Sequence, residues 1–159
     1  MEPEKRYHLV QFNIARMVAP LDDPIMADFV ARLEEINGLA EKSPGFVWRL
    51  QTPAGDSTSI RIYDDPNWLV NMSMWEDIDS LHQYAYYSDH VEVFRRRGDW
   101  FEKPTQAILV IWWVPAGTIP TAEDGKAKLE YLREHGASPL AFTFKERFSV
   151  EELLAMQPE

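Results

Sequence analysis

The sequence predicts an α+β domain built on an antiparallel four-stranded sheet, and three observations predict it. Short apolar runs at 9–14, 46–51, 68–75 and 106–114 have strand character. A longer segment with helical apolar spacing lies between the first and second runs, and another between the third and fourth. The 159 residues suffice for one domain and are too few for two of ordinary size. Strand, helix, strand, strand, helix, strand is the ferredoxin-like order β-α-β-β-α-β, with both helices on one face. A C-terminal helical extension follows. The expected organisation is a single domain over 1–159, with a core of about 7–117 and an extension of about 118–159.

Each element has its own signal. In the first strand, alternation puts Val10, Phe12 and Ile14 on one face and Leu9, Gln11 and Asn13 on the other. Asp23-Pro24 starts a helix, with Asp at the N-cap and Pro where a missing N–H costs nothing. Ile25, Phe29, Leu33, Ile36 and Ala40 form its apolar stripe, and Ser43-Pro44-Gly45 ends it. The second strand runs over 46–51, with 59–63 as a short continuation beyond a polar loop. Asp64-Asp65-Pro66-Asn67 is a turn before the third strand. Glu76-Asp77 then opens a helix from Ile78 to about Arg97, either continuous or broken in two at Ser88-Asp89, where Ser and Asp favour a cap. The fourth strand is apolar on both faces, as expected of a covered central strand. Thr121 opens a further helix to about His135, closed by Gly136, and Ser149 to Glu152 forms a capping box for a terminal turn.

Composition excludes several functions. There is no Cys, so no disulfide framework, Cys-ligated zinc or iron–sulfur site, or thiol nucleophile is available. The net charge of −10 argues against nucleic-acid or anionic-membrane binding, which needs a basic face. The longest apolar run, Ala107 to Val114, is far short of the roughly 20 residues that span a bilayer. The N-terminal residues have no apolar signal region, and the expected location is cytoplasmic. No phosphate-binding loop, GxGxxG or GxSxG occurs. Aromatic residues make up 13% of the chain, with six Trp. Trp75, Trp112 and Trp113 lie on predicted strands, and two helices cover only one face of a sheet. A homodimer packing sheet on sheet is the simplest cover for the other.

The segment Val70-Asn71-Met72-Ser73-Met74-Trp75-Glu76-Asp77, followed by Tyr84, His90 and Phe94, resembles the dimeric α+β barrel superfamily. Ala19-Pro20-Leu21-Asp22-Asp23-Pro24, Ser43 to Leu50 and Trp112-Trp113-Val114-Pro115-Ala116-Gly117 resemble an uncharacterised branch of it, a domain of unknown function. The resemblance covers about Tyr7 to Phe148 and implies a ferredoxin-like fold forming a dimeric α+β barrel. Relatives include cofactor-free antibiotic-biosynthesis monooxygenases, haem-degrading enzymes, isomerases and stress-response proteins, so activity has to be argued from the site.

Asn71, Ser73 and Trp75 alternate along one strand and share a face. The monooxygenases are similar, with an Asn and a Trp four residues apart, and the resemblance implies that these hold an oxygen-bearing intermediate. His90 is the expected general base, or a haem ligand in the alternative reading. His82 is expected to face solvent. Tyr86 shares a helical stripe with His90, Arg97 is the one of Arg95-Arg96-Arg97 placed to hold a ligand anion, and Trp100 follows, either capping the pocket mouth or closing the core. Trp112 and Asn13 complete the expected substrate contacts, with Arg16, Trp48 and Arg49 as further rim residues. The expected function is cofactor-independent oxygenation or isomerisation of an aromatic or polyketide-like small molecule, with no metal. The alternatives are a haem protein and a non-catalytic dimeric binding or stress-response module.

Overall fold

The structure, a computed structural model, describes residues 7–51, 63, 65, 67–87 and 95–156. Its elements are β1 (Tyr7–Arg16), α1 (Ala27–Lys42), β2 (Phe46–Arg49), β3 (Trp68–Trp75), α2 (Ile78–Tyr87), a one-turn α3 (Arg97–Trp100), β4 (Leu109–Pro115), α4 (Ala122–His135) and α5 (Val150–Ala155). The strands form one antiparallel sheet in the order β2-β3-β1-β4, the ferredoxin-like arrangement.

Local chemistry explains most boundaries. Asp23 accepts a hydrogen bond from the Ile25 N–H at 3.0 Å, but it caps a single 3-10 turn (Pro24–Met26) that precedes α1. Ile25 therefore leaves the apolar stripe and is exposed. Gly45 turns the chain from α1 into β2 with φ +82°, and a Cβ there would meet the Ser80 side chain at 2.1 Å. Thr121 and Asp124 form a reciprocal capping box on α4, as Ser149 and Glu152 do on α5. Of the expected strand continuation over 59–63 only Tyr63 is described, and it is not in a strand; the expected helix break at Ser88-Asp89 lies outside the described residues.

The two faces of the sheet are covered differently. One face presents Leu9, Trp75, Ile111 and Trp113 to Ala40 of α1, Leu81 of α2, and Val150 and Leu153 of α5. The other presents Val10, Phe12, Ile14, Met72, Met74 and Trp112 to Leu129 and Leu132 of α4. α4 lies so close that a Cβ on Gly125 would be 2.2 Å from the Phe12 ring. This is the face for which a second copy was expected. The chain's own extension supplies cover there, so the burial argument for a partner falls away beneath α4.

After α4 the chain crosses the edge of β4. Ile111 and Phe142 exchange both backbone hydrogen bonds, at 2.8 and 2.9 Å. The Trp113 indole N–H then donates to the Phe148 carbonyl at 2.9 Å, which seats α5 on the α1/α2 face. The tail thus occupies backbone groups of an edge strand that would otherwise be open to pairing. Among the described residues, no helix is long and apolar enough to cross a membrane.

Candidate functional site

Strand register arranges the α1/α2 face of the sheet in rows. Phe46, Trp75, Leu9 and Trp113 form the first row, and Arg49, Ser73, Gln11 and Ile111 the second. Asn71, Asn13 and Leu109 form the third, and Leu69 and Ala15 the fourth. The first row is sealed: Trp75 is fully buried, stacks on Tyr84 at 5.1 Å and meets Phe46 edge-on at 5.5 Å. In the fourth row, Leu69 packs with Met17, Met26 and a fully buried Trp100. Between these two apolar clusters the third row opens. Asn71 is exposed and Asn13 half-buried, although both sit on inner strands. An exposed side chain at that position shows that, among the described residues, the helical layer leaves a gap there.

The gap has an ordered polar floor. The Trp75 indole N–H donates to Ser73 Oγ at 2.9 Å, and the Ser73 hydroxyl donates to Gln11 Oε1 at 2.9 Å. Gln11 Nε2 in turn donates to Asn13 Oδ1. Every donor points the same way, and the chain ends on the Asn13 amide nitrogen, beside Asn71. Hydrogen bonds aligned head to tail polarise one another, which strengthens the terminal donor. Gln11 and Ser73 are almost wholly buried, so their polar atoms depend on this chain.

Two more polar side chains come close to this floor. The Tyr84 hydroxyl donates to the Ile36 carbonyl at 3.3 Å, and burial pushes its phenol well above the usual range, with the Arg49 guanidinium partly opposing. Arg49 faces inward because β2 carries a bulge between Phe46 and Trp48. Simple alternation would group Phe46 with Trp48. Instead Phe46 opposes Trp75 and Arg49 opposes Ser73 on the α1/α2 face, while Trp48 joins the α4 side.

The structure puts Asn71, Ser73 and Trp75 on one face, as expected from alternation, and the register of β1 on β3 sets Asn13 opposite Asn71. It does not leave Trp75 free to touch a ligand, because the ring is buried and its N–H is committed to Ser73. Trp100 is core rather than a pocket mouth. Arg97 is exposed; its neighbour Arg96 lies at the surface over the Trp100 ring, at 4.6 Å, paired with Asp28 and Asp99. Arg16 pairs with Asp65 and Glu102, away from the polar floor. His82, expected in solvent, is half-buried with its ring 5.7 Å from that of Phe144. His90 and the side chain of Tyr86 lie outside the described residues.

Trp112 is on the opposite face. It lines a cleft of about 420 Å³ between β4 and α4, with Val114, Thr118, Asp124, Lys128 and Tyr131. The two charged groups of that cleft are engaged: Asp124 caps α4, and Lys128 Nζ donates to the Leu140 carbonyl at 2.9 Å. Among the described residues, no three His, Asp or Glu side chains gather as a metal site would require. Sequence reasoning did not single out Gln11, which joins Ser73 to Asn13. Its signal was a second amide two residues before Asn13 on the same strand face.

Several solved structures are similar in outline. SnoaB, a cofactor-independent oxygenase from Streptomyces nogalater, is 14% identical with a TM-score of 0.47, covering 70% of this chain and 95% of its own. A conserved protein from Methanosarcina mazei is 16% identical with a TM-score of 0.46, covering 70% and 95%. A Mesorhizobium loti dabb family protein with a ferredoxin-like fold is 15% identical with a TM-score of 0.43, covering 69% and 99%. No curated protein matches the chain. The family described as Domain of unknown function (DUF3291) matches residues 8–157, and the chain belongs to it.

Proposed function

We propose that the gap over Asn13 and Asn71 binds a planar small molecule through an oxygen that carries negative charge, and that the chain oxygenates or isomerises it without a cofactor. The carrying observation is the directed hydrogen-bond chain from Trp75 through Ser73 and Gln11 to Asn13, which delivers amide donors to an opening floored by carboxamides. Fixed donors aimed at a developing oxyanion lower a barrier because they need not reorganise during reaction. The sequence resemblance, an Asn and a Trp four residues apart, supports the cofactor-free form.

In this proposal a base removes a proton from an acidic carbon or phenol of the substrate. His90 is assigned that role from sequence alone. Asn13 and Asn71 hold the resulting enolate or phenolate oxygen. Trp75 and Ser73 are positioning residues that act through Gln11. Isomerisation returns the proton to another carbon. In oxygenation of an activated methylene, the CH2 group and O2 give a carbonyl and water, with the substrate supplying all the electrons. The small-molecule site is proposed for each chain by itself, with a homodimer as a separate question of assembly. The haem alternative turns on His90, and no described residue argues for it.

The test is oxygen uptake, with product analysis, over a panel of anthrones and acidic phenols with no added cofactor. Turnover is expected, and Asn71→Ala or Asn13→Ala should lower kcat by roughly 10²-fold with little change in KM. Absence of both oxygen uptake and isomerisation across the panel, or turnover untouched by both substitutions, refutes the assignment.

A further inference from the structure

The cleft on the far face of the sheet has no part in the reaction just proposed. It lies between β4 and α4 and holds about 420 Å³. Trp112, Val114 and Pro120 form a buried floor, and Lys128, Tyr131 and Leu140 are half-buried walls. Thr118, Asp124 and Ala127 stand exposed at the rim. The cleft is therefore open to solvent, and its volume falls in the range of about 300–1,000 Å³ usual for small-molecule sites. Its walls are tied in place. Lys128 Nζ holds the Leu140 carbonyl at 2.9 Å, and the backbones of Ser138 and Ala141 bond each other across that turn. A cleft fixed beforehand loses little conformational entropy when a ligand enters.

The cleft is rich in hydrogen-bond donors that nothing occupies. Lys128 has three N–H groups, and the Leu140 carbonyl takes one. Among the described residues, the Thr118 hydroxyl, the Tyr131 hydroxyl and the Trp112 indole N–H have no hydrogen-bond partner. Trp112 is 3% exposed, yet its N–H is not one of the sealed polar atoms, so the little surface it keeps includes that donor. Asp124 is the one carboxylate of the lining, and its Oδ2 already accepts from the Thr121 N–H at 2.9 Å. Burial lowers the Lys128 pKa from its ordinary value, with Asp124 only partly opposing. An incoming anion stabilises such a half-buried ammonium.

We infer that this cleft is a second ligand site, and that it takes a planar aromatic carboxylate of one or two rings. The ring rests on Trp112, Val114 and Leu140. The carboxylate meets the free Lys128 N–H groups and the Tyr131 hydroxyl, which lie three residues apart on one side of α4. The site is independent of the polar floor over Asn13 and Asn71, which is on the other face of the sheet.

The test is titration of the full chain with 2-naphthoate and with 2-naphthamide, which match in shape and differ in charge, read by calorimetry and by two-dimensional amide NMR. The acid should bind roughly tenfold or more tightly than the amide, the scale of a charged hydrogen-bonded contact. It should also move the Trp112 indole signal and the backbone signals of Lys128, Tyr131 and Leu140. Lys128→Met should bring the acid to the level of the amide, and Lys128→Arg should keep part of the preference because it keeps the charge. Tyr131→Phe should weaken the acid severalfold. Equal affinities for the two probes, a preference that survives Lys128→Met, or no binding of either probe at millimolar concentration overturns the inference. So does binding that moves the signals of Gln11, Asn13 and Asn71 and leaves the Trp112 indole still, because the acid then sits on the polar floor. If Lys128→Met does not fold, Tyr131→Phe decides, and an unchanged affinity for the acid overturns the inference.

Discussion

Ser73 is the joint of the buried polar chain, and Ser73→Ala tests that chain most directly. The hydroxyl accepts from the Trp75 indole and donates to Gln11. Alanine removes both contacts and leaves both partners in place. Trp75 has no exposure at all, so its N–H cannot turn to water, and stranding it costs about 1–3 kcal/mol. Gln11 is 7% exposed and loses its donor as well, which brings the expected total to about 2–4 kcal/mol. For a chain of this size that is a fall in Tm of about 5–15 °C. Urea and thermal melts followed by circular dichroism measure it. A double-mutant cycle with Trp75→Phe isolates the contact, because the phenyl ring has no donor to strand. The two single losses should exceed the loss of the double variant by about 1 kcal/mol or more. A Ser73→Ala loss below about 0.5 kcal/mol, or single effects that simply add, would show that the chain does not hold the floor of the site together.

Other perturbations probe the surrounding structure. Gly125→Ala sets helix propensity against packing: propensity alone predicts a gain of up to about 1 kcal/mol, whereas a Cβ 2.2 Å from the Phe12 ring predicts a net loss of about 1–2 kcal/mol. A more stable variant in a urea melt would refute the seating of α4 on Phe12, and Phe12→Leu should relieve the loss if the seating is right. Tyr84 gives stability a pH dependence at the alkaline end. Its folded phenol holds its proton above the unfolded value of about 10, so the native state binds more protons than the unfolded state, and stability falls as pH rises past 10. Tyr84→Phe should flatten that fall in melts between pH 8 and pH 11, and an unaltered slope would refute burial of the phenol. Trp113→Phe deletes the indole contact to the Phe148 carbonyl and should loosen the tail, seen as faster amide exchange over 142–153 with exchange in β1 unchanged.

Much of the fold was legible in local chemistry. β3 runs from Trp68 to Trp75, matching the apolar run between the Asp-Pro-Asn turn and Glu76-Asp77. The α4 and α5 starts follow from capping boxes, which act within four residues and therefore can be read from sequence. Alternation placed Asn71, Ser73 and Trp75 on one face because the period of a strand is a local property. The same rule failed at β2, where one bulged residue separates Phe46 from Trp48 and turns Arg49 inward. A bulge depends on the partner strand and leaves little trace in the residues themselves.

The sequence by itself determined the strand order along the chain, the helix caps, and which polar residues share a strand face, since each follows from backbone geometry over a few residues. Only the tertiary structure decided three things. It paired Gln11 with Ser73 across 62 positions, closing the polar chain. It sent Trp112 to the α4 side, away from the polar floor. It laid the C-terminal extension over the face where a second copy was expected. Each depends on which distant segment supplies the neighbour, and an apolar strand face buries equally well against a helix of its own chain or the sheet of another.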